Sequence, residues 1–330
     1  MVATETAERD ILSIRTMKKS DLLLFAAFAI FWMFEGKTAI AEQTSQPSGV
    51  PVHMIVTAES PHGYSPSPIS RDDVLVYEGL DRDKVTDWMP SQDSKAPLEL
   101  FVLIDDSSNT SLGVQLDDIR QFLNSQPASA KVGVAYMQDG IAQIAQNLTA
   151  DHGKAAKAIR LPLGTPGIND SPYFALEDLM KRWPESSSRR EVLMVSDGID
   201  RFWGAGPDDA YVDSVIEQAQ RAGIVVFAIY TPGVGHYANS FWRTWWGQIY
   251  LSRVSDETGG ESYYIGHNGP AVSFVPYLDE VTHRLAHQYL LTFLAKPEKK
   301  AGMQRVKVTT ELPNTELVST DSVYVPGQPQ

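Results

Sequence analysis

An unbroken apolar run from Leu100 to Ile104 ends abruptly in Asp105-Asp106-Ser107-Ser108-Asn109, and this junction constrains the fold more than any other feature of the chain. A strand that is apolar at every position buries both faces, which places it inside a parallel sheet covered by helices. In an open α/β sheet, ligands gather outside the carboxyl ends of the strands. Carboxylates, hydroxyls and an amide clustered there point to a cation.

The pattern that follows supports such a sheet. From about residue 96, predicted strands at 98–105, 131–137, 141–148, 191–196, 224–230 and 262–265 alternate with predicted helices at 116–123, 154–159, 172–182, 212–221, 241–254 and 275–286. Alternation of this kind predicts a doubly wound, mostly parallel α/β sheet with right-handed crossovers. Asp139-Gly140 is a hairpin-turn signal, so the second and third strands are expected to form an antiparallel pair at one edge.

The flanks read differently. Val52, Met54 and Val56 alternate after a polar linker (43–49), a Pro/Ser-rich turn occupies 65–68, and Val74-Leu75-Val76-Tyr77 is a second short strand ended by Glu78-Gly79. Beyond His287, residues 289–294 are largely apolar, Val306 and Val308 alternate with Arg305, Lys307 and Thr309, and Val323-Tyr324-Val325 forms a last strand. Alternation at both ends predicts that the terminal segments (42–95 and 288–330) pair in a small flanking β module, with the central domain (96–287) inserted between them.

At the N-terminus, Lys18 and Lys19 precede an apolar run over 22–34, and Ala39-Ile40-Ala41 is a small-x-small cleavage site. Residues 1–41 therefore read as a signal peptide, with Met17 a second candidate start. The run is short for a bilayer span, which favours a cleaved signal and no stable membrane span. The expected location is secreted or periplasmic, with an uncleaved N-terminal membrane anchor as the alternative, which would also place the rest of the chain outside the cytoplasm. The chain has no cysteine, which excludes disulfides and thiolate metal sites. Its formal charge of -13, without a basic block, excludes a nucleic-acid partner. Solubility alone accounts for such a balance, and it also suits cations or basic partners.

The central region resembles the von Willebrand factor type A domain. That family closes its first strand with Asp-x-Ser-x-Ser, matched here by Asp105-x-Ser107 with Asn109 in the last place, and a later strand with Asp, matched by Val195-Ser196-Asp197-Gly198. Its intervening Thr loop falls at Asn169-Asp170-Ser171-Pro172, where Ser171 is the nearest hydroxyl. The flanks also resemble those of exported bacterial proteins of this type, through Asp72-Asp73-Val74-Leu75-Val76-Tyr77-Glu78 and Gln288-Tyr289-Leu290-Leu291.

The resemblance implies a metal-ion-dependent adhesion site built from Asp105, Ser107, Asn109, Ser171 and Asp197. In it Ser107, Asn109 and Ser171 approach Mg²⁺ or Ca²⁺ directly (Mn²⁺ as a substitute), Asp105 and Asp197 act mainly through water, and a protein partner's carboxylate completes the shell. The spacing is physically sound without the family. Residues 105, 107 and 109 on a loop leaving a strand can turn three oxygens to one side, and a hard divalent ion takes six or more oxygens at about 2.0–2.6 Å.

Each residue also has a plainer reading. Ser107, Ser108 and Asn109 suit a turn, Ser171-Pro172 suits an N-cap followed by N1 proline, Asp197-Gly198 suits a strand-ending turn, and Asp106 and Asp200 suit solvated loops. His283 and His287 are spaced i, i+4 but lack the Glu of a His-Glu-x-x-His zinc motif, which favours a solvated or capping pair. Phe241, Trp242, Trp245 and Trp246 form either a packing face or a partner face, and Phe202-Trp203 would sit on the rim of the site. No Gly-x-Ser-x-Gly elbow or phosphate loop is present, so an enzyme is not expected. Three functions remain in view: a cation-dependent adhesion module, a metal-free scaffold of the same fold, and a metal-dependent hydrolase.

Overall fold

The apolar run is the centre of a six-stranded sheet. In the computed structural model, which describes residues 49–60, 68–92, 96–167, 170–184, 186, 188–264 and 273–328, strand β4 (Leu98–Asp105) is buried along its whole length. It lies between β5 (Lys131–Gln138) and β7 (Arg189–Ser196), parallel to both. Strand β6 (Ile141–Thr149) closes one edge antiparallel to β5, across a turn in which Asp139 and Gly140 have φ of 49° and 74°, as the dipeptide predicted. On the other side β8 (Ile224–Tyr230) and β9 (Ser262–Tyr263) continue in parallel, giving the order β6-β5-β4-β7-β8-β9. The order reverses between β4 and β7, so their carboxyl ends flank the crevice where such sheets take ligands.

Alternation along β4 divides two cores. Leu100, Val102 and Ile104 face helices α1 (Leu116–Ser125), α2 (His152–Lys157) and α7 (Val275–Ala286). Phe101 and Leu103 face α3 (Pro172–Arg182), α4 (Ala210–Ala222) and α6 (Phe241–Thr258). A one-turn helix, α5 (Gly235–Ala238), precedes α6. Fully burying an apolar side chain of this size contributes roughly 1.5–3 kcal/mol, so the two faces supply the stability that holds the edge loops in register.

The terminal segments share a second sheet. Strands β1 (Val50–Glu59), β2 (Val74–Glu78) and β3 (Asp81–Pro90) join β10 (Gln288–Ala295), β12 (Lys307–Thr310) and β13 (Glu316–Ser319) in the antiparallel order β12-β2-β3-β10-β1-β13. Strands β11 (Gly302–Arg305) and β14 (Ser322–Val325) form a separate ribbon. Arg189, at the amino end of β7, ties the two sheets together by donating to the carbonyls of Ala96 (3.2 Å) and Leu285 (3.3 Å) and to Gln288 Oε1.

Several boundaries differ from the sequence expectation. Strand β3 was not expected, because the exposed Asp81, Arg82, Lys84 and Asp87 hide the buried Asp83 and Trp88. Strand β13 was also missed, being only four residues long. The second helix starts at His152, two residues before the expected position, because Asp151 caps it by accepting from the Lys154 amide at 2.9 Å. Helix α6 continues to Thr258, where Gly259 takes a left-handed φ of 87°. The signal segment 1–41, most of the linker, residues 65–67, Asn169 and Ile265 lie outside the described residues.

Candidate functional site

Four loops meet at the carboxyl edge of β4 and β7. Asp105 ends β4 and is 1% exposed. Its Oδ1 accepts from the Ser107 amide at 2.8 Å and its Oδ2 from the Ser196 hydroxyl at 2.7 Å, which fastens the first strand end to the second. Just past β7, Gly198 turns the chain with a left-handed φ of 68°, and Asp197 Oδ1 accepts from the Ile199 amide at 2.9 Å. The third loop delivers Asp170 and Ser171 at the start of α3, anchored where the Tyr173 hydroxyl donates to the Gly198 carbonyl at 2.7 Å. The fourth, over residues 231–234 after β8, crosses the first: Asn109 N–H donates to Pro232 O (2.8 Å) and Val234 N–H to Ser107 O (3.1 Å).

Arg201 lies inside this ring of loops. Only 6% exposed, it donates Nη2 to Asp197 Oδ2 at 2.5 Å and Nη1 to Asp197 Oδ1 at 3.3 Å, with Nη1 3.9 Å from Asp170 Oδ2. Burial opposes its charge, but Asp197, Asp105 and Asp170 outweigh burial and raise its pKa. The carboxylates pay the converse penalty. Burial first, then Asp105, pushes Asp170 up to about 8 against the opposing pull of Arg201. Asp197 is pushed up to about 6, again by burial first, with Arg201 restraining the rise.

Of the five residues expected to form the site, Asp105, Ser107 and Asp197 converge and two do not. Asn109 is the N-cap of the short 3-10 helix Thr110–Val114, its side-chain oxygen accepting from Ser111 N at 2.9 Å. Ser171 caps α3, accepting from Phe174 N at 3.4 Å, and its hydroxyl donates to Asp200 Oδ2 at 3.1 Å. The cluster-facing residue of that loop is its neighbour Asp170, which sequence comparison passed over in favour of a hydroxyl.

Two residues read as solvated are buried. Asp106 accepts from Arg160 in a bidentate pair at 2.6 and 2.7 Å, and Asp200 accepts from the amides of Phe202 (2.8 Å) and Trp203 (3.0 Å). His283 and His287 stack on each other with ring centroids 4.1 Å apart, and His287 is tied to its own helix through the His283 carbonyl.

Known proteins supply a fold for comparison. No family model matches the chain, and no curated protein matches its sequence. Among solved structures, BatB from Bacteroides thetaiotaomicron is 12% identical over 57% of this chain and 97% of that chain, with a TM-score of 0.42. A von Willebrand factor type A protein from Catenulispora acidiphila is 11% identical over 87% of this chain and 76% of that chain (TM-score 0.45). The VWA domain of SpRpn10 is 15% identical over 56% of this chain and 94% of that chain (TM-score 0.38). The chain is thus similar in fold to solved von Willebrand factor type A proteins.

The resemblance read from the sequence implies a divalent ion at this edge, and the residues present do not fit one. A guanidinium, which has only donors to offer, already holds both oxygens of Asp197. The oxygens of Asn109 and Ser171 are committed to caps, and among the described residues no set of three His, Cys, Asp or Glu side chains gathers as ligands. Loop 231–234 also packs over the cluster. A Cβ at Gly233 would lie 2.8 Å from both Asp197 Cγ and Arg201 Nη2, so the glycine is what lets this cover close.

Five of the exposed large apolar side chains of the central domain follow the strand ends at this edge. Phe202 (48% exposed) and Trp203 (56%) follow Arg201, and Phe241 (74%), Trp242 (54%) and Trp245 (41%) open α6 beyond β8. Trp203 and Phe202 pack edge-on against Tyr211, and the tryptophans of α6 pack against one another at tilted and edge-on angles, with Trp246 also against Tyr250. Tyr250 bonds to both the amide and the carbonyl of Gly206, linking the two groups through the loop that carries Trp203.

Proposed function

We propose that the chain is an exported protein-binding module that holds its partner on the aromatic rim of the sheet's carboxyl edge, with no divalent ion at the contact. The observation that carries this reading is the position of Phe202, Trp203, Phe241, Trp242 and Trp245, large apolar side chains left in solvent on the loops of one edge. Soluble domains seldom leave such a group exposed without a use, and tryptophans held on a rigid scaffold are the usual anchors of protein contacts. Export rests on the lysines and apolar run of the N-terminus. Among the described residues, no helix is long and apolar enough to cross a membrane.

The expected metal-centred contact, with a partner carboxylate completing the shell, is replaced in this reading because Asp197 is already paired and lies 1% exposed beneath loop 231–234. The test is a pull-down from the envelope of the exporting cell, run with and without chelator. The same protein should be retained in both, and Trp203→Ser with Trp245→Ser should release it while leaving the melting temperature within a degree or two. Release by chelator alone would overturn the reading in favour of the ion-dependent one.

A further inference from the structure

A cleft of about 460 Å³ lies between the β module and the central domain, at the end of the central sheet opposite the aromatic rim. Its first wall is the module sheet. Val52, Met54, Trp88, Leu291 and Phe293 turn into the module's own core, so the residues alternating with them face the cleft. Strand pairing sets these out in two rows across the adjacent strands β1, β10 and β3. Ile55, Leu290 and Met89 form an apolar row, and His53, Thr292 and Asp87 a polar one, in which His53 Nδ1 lies 2.9 Å from Thr292 Oγ1.

The opposite wall is cationic. Arg190, near the amino end of β7, and Arg221, in the last turn of α4, both line the cleft, and Tyr324 of the β11–β14 ribbon closes one side. Arg190 is positioned by donating to the Ala222 carbonyl. The Arg221 guanidinium carbon lies 4.2 Å from the centroid of the Tyr324 ring, and among the described residues no carboxylate forms an ion pair with Arg221. A guanidinium held by an aromatic face keeps the N–H donors around its edge for an acceptor. On a chain of formal charge -13, a cleft that sets two guanidiniums against one carboxylate, the exposed Asp87, reverses the local sign. Such a reversal draws an anion.

We propose that this cleft binds a medium-chain aliphatic carboxylate, with the carboxylate on Arg221 and Arg190 and the alkyl chain along Ile55, Leu290 and Met89. Clefts of this volume at domain boundaries are the usual seats of small ligands, mostly apolar with a few polar groups that fix orientation. The planar guanidinium fork matches a carboxylate in a way that an ammonium does not. Neighbouring strands lie about 4.8 Å apart, so a row of three side chains is about 10 Å long. With C–C bonds of about 1.5 Å, that length takes an extended chain of about eight carbons. Because the walls belong to both domains, a bound carboxylate ties them together and raises the stability of the whole unit. The site shares no residue with the rim that holds the protein partner, so the two readings stand or fall separately.

Isothermal titration of the full chain with decanoate, together with thermal unfolding, tests this. One decanoate should bind per chain with a Kd of about 10⁻⁴ M, and a saturating concentration should raise the melting temperature by a few degrees. Acetate, which lacks the alkyl chain, and decyltrimethylammonium, which reverses the charge, should give neither effect. Arg221→Gln should weaken decanoate binding at least about tenfold. Met89→Glu, which sets a carboxylate in the apolar row, should abolish it; should that variant not fold, Arg221→Gln decides alone. Trp203→Ser with Trp245→Ser should bind decanoate like the parent chain.

No binding of decanoate at 10⁻³ M would overturn the proposal, as would equal affinity for acetate or for decyltrimethylammonium. So would undiminished binding by Arg221→Gln, or loss of binding in the double tryptophan variant, which would place the decanoate on the rim instead.

Discussion

Gly233→Ala tests the closure of the edge with a single methyl group. The added Cβ would lie 2.8 Å from Asp197 Cγ and 2.8 Å from Arg201 Nη2, and closer still to Asp197 Oδ2, all inside the 3.0 Å that Cβ atoms in proteins keep clear. Two responses are open. The ion pair can be pushed apart, which at a buried site costs roughly 3–5 kcal/mol because it leaves charges uncompensated. Alternatively, loop 231–234 can lift, giving up the bonds from Asn109 N–H to Pro232 O and from Val234 N–H to Ser107 O. At about 1 kcal/mol each, lifting is the cheaper response, so the expected loss is about 2–3 kcal/mol including residual overpacking.

The assay is urea unfolding of Gly233→Ala beside Gly206→Ala, whose Cβ would meet nothing within 4 Å on the same edge. Gly233→Ala should shift the midpoint by the amount above, and Gly206→Ala should stay within about 0.5 kcal/mol of the parent. Hydrogen exchange locates the response, because a lifted loop exposes the amides of Asn109 and Val234 while the Asp105-linked amide of Ser107 stays protected. Equal stability of the two alanine variants would refute the claim that Gly233 is needed to close this cover, and protection unchanged at Asn109 and Val234 would refute loop lifting as the response.

Three further outcomes follow from buried charge and capping. Glu191, fully buried in the central sheet, is pushed up to about 8 chiefly by burial, against Arg189 at 3.7 Å. The unfolded chain therefore holds fewer protons than the folded one above the ordinary value of 4.5, so stability falls as pH rises toward 8, by up to about 1.4 kcal/mol per pH unit; Glu191→Gln should flatten that slope in denaturation series at stepped pH. Arg160→Ala strips the bidentate partner from the buried Asp106 and the cation stacked 3.7 Å over Tyr136, and should cost roughly 1–3 kcal/mol by urea midpoint, with Arg160→Lys restoring only part. Asp209→Ala removes the N-cap that accepts from Tyr211 N (3.0 Å) and Val212 N (3.3 Å), and should cost about 0.5–2 kcal/mol in thermal unfolding with exchange rising first at the start of α4.

The fold was legible wherever burial was two-sided. Strands β4, β7 and β8 are apolar at nearly every position because helices cover both faces, and no other environment tolerates that composition. Asp139-Gly140 fixed the antiparallel edge because only residues content with positive φ close such a hairpin. Strand β3 escaped because its stability comes from neighbours distant in sequence: Trp88 stacks on Tyr289 at 4.3 Å, a contact that local alternation cannot reveal through Asp81, Arg82, Lys84 and Asp87.

The site was legible in its corners and not at its centre. Asp105 was found because a carboxylate directly after an apolar strand demands a partner, and Asp197 because it matches the strand-end Asp of the family the sequence resembles. What satisfies that demand is a question of direction, and side-chain direction depends on turns. Asn109 and Ser171 were read as ligands by type, yet each sits at a helix start where its own backbone amides compete for the oxygen at short range. Arg201 carried a signal that could have been read: in Asp197-Gly198-Ile199-Asp200-Arg201 a glycine that can turn left-handed follows the strand-end carboxylate, and a basic residue stands four positions on. Such a turn can return the guanidinium to the carboxylate it left. The pattern Asp-Gly-x-x-Arg after an apolar strand therefore argues for an internally neutralised edge.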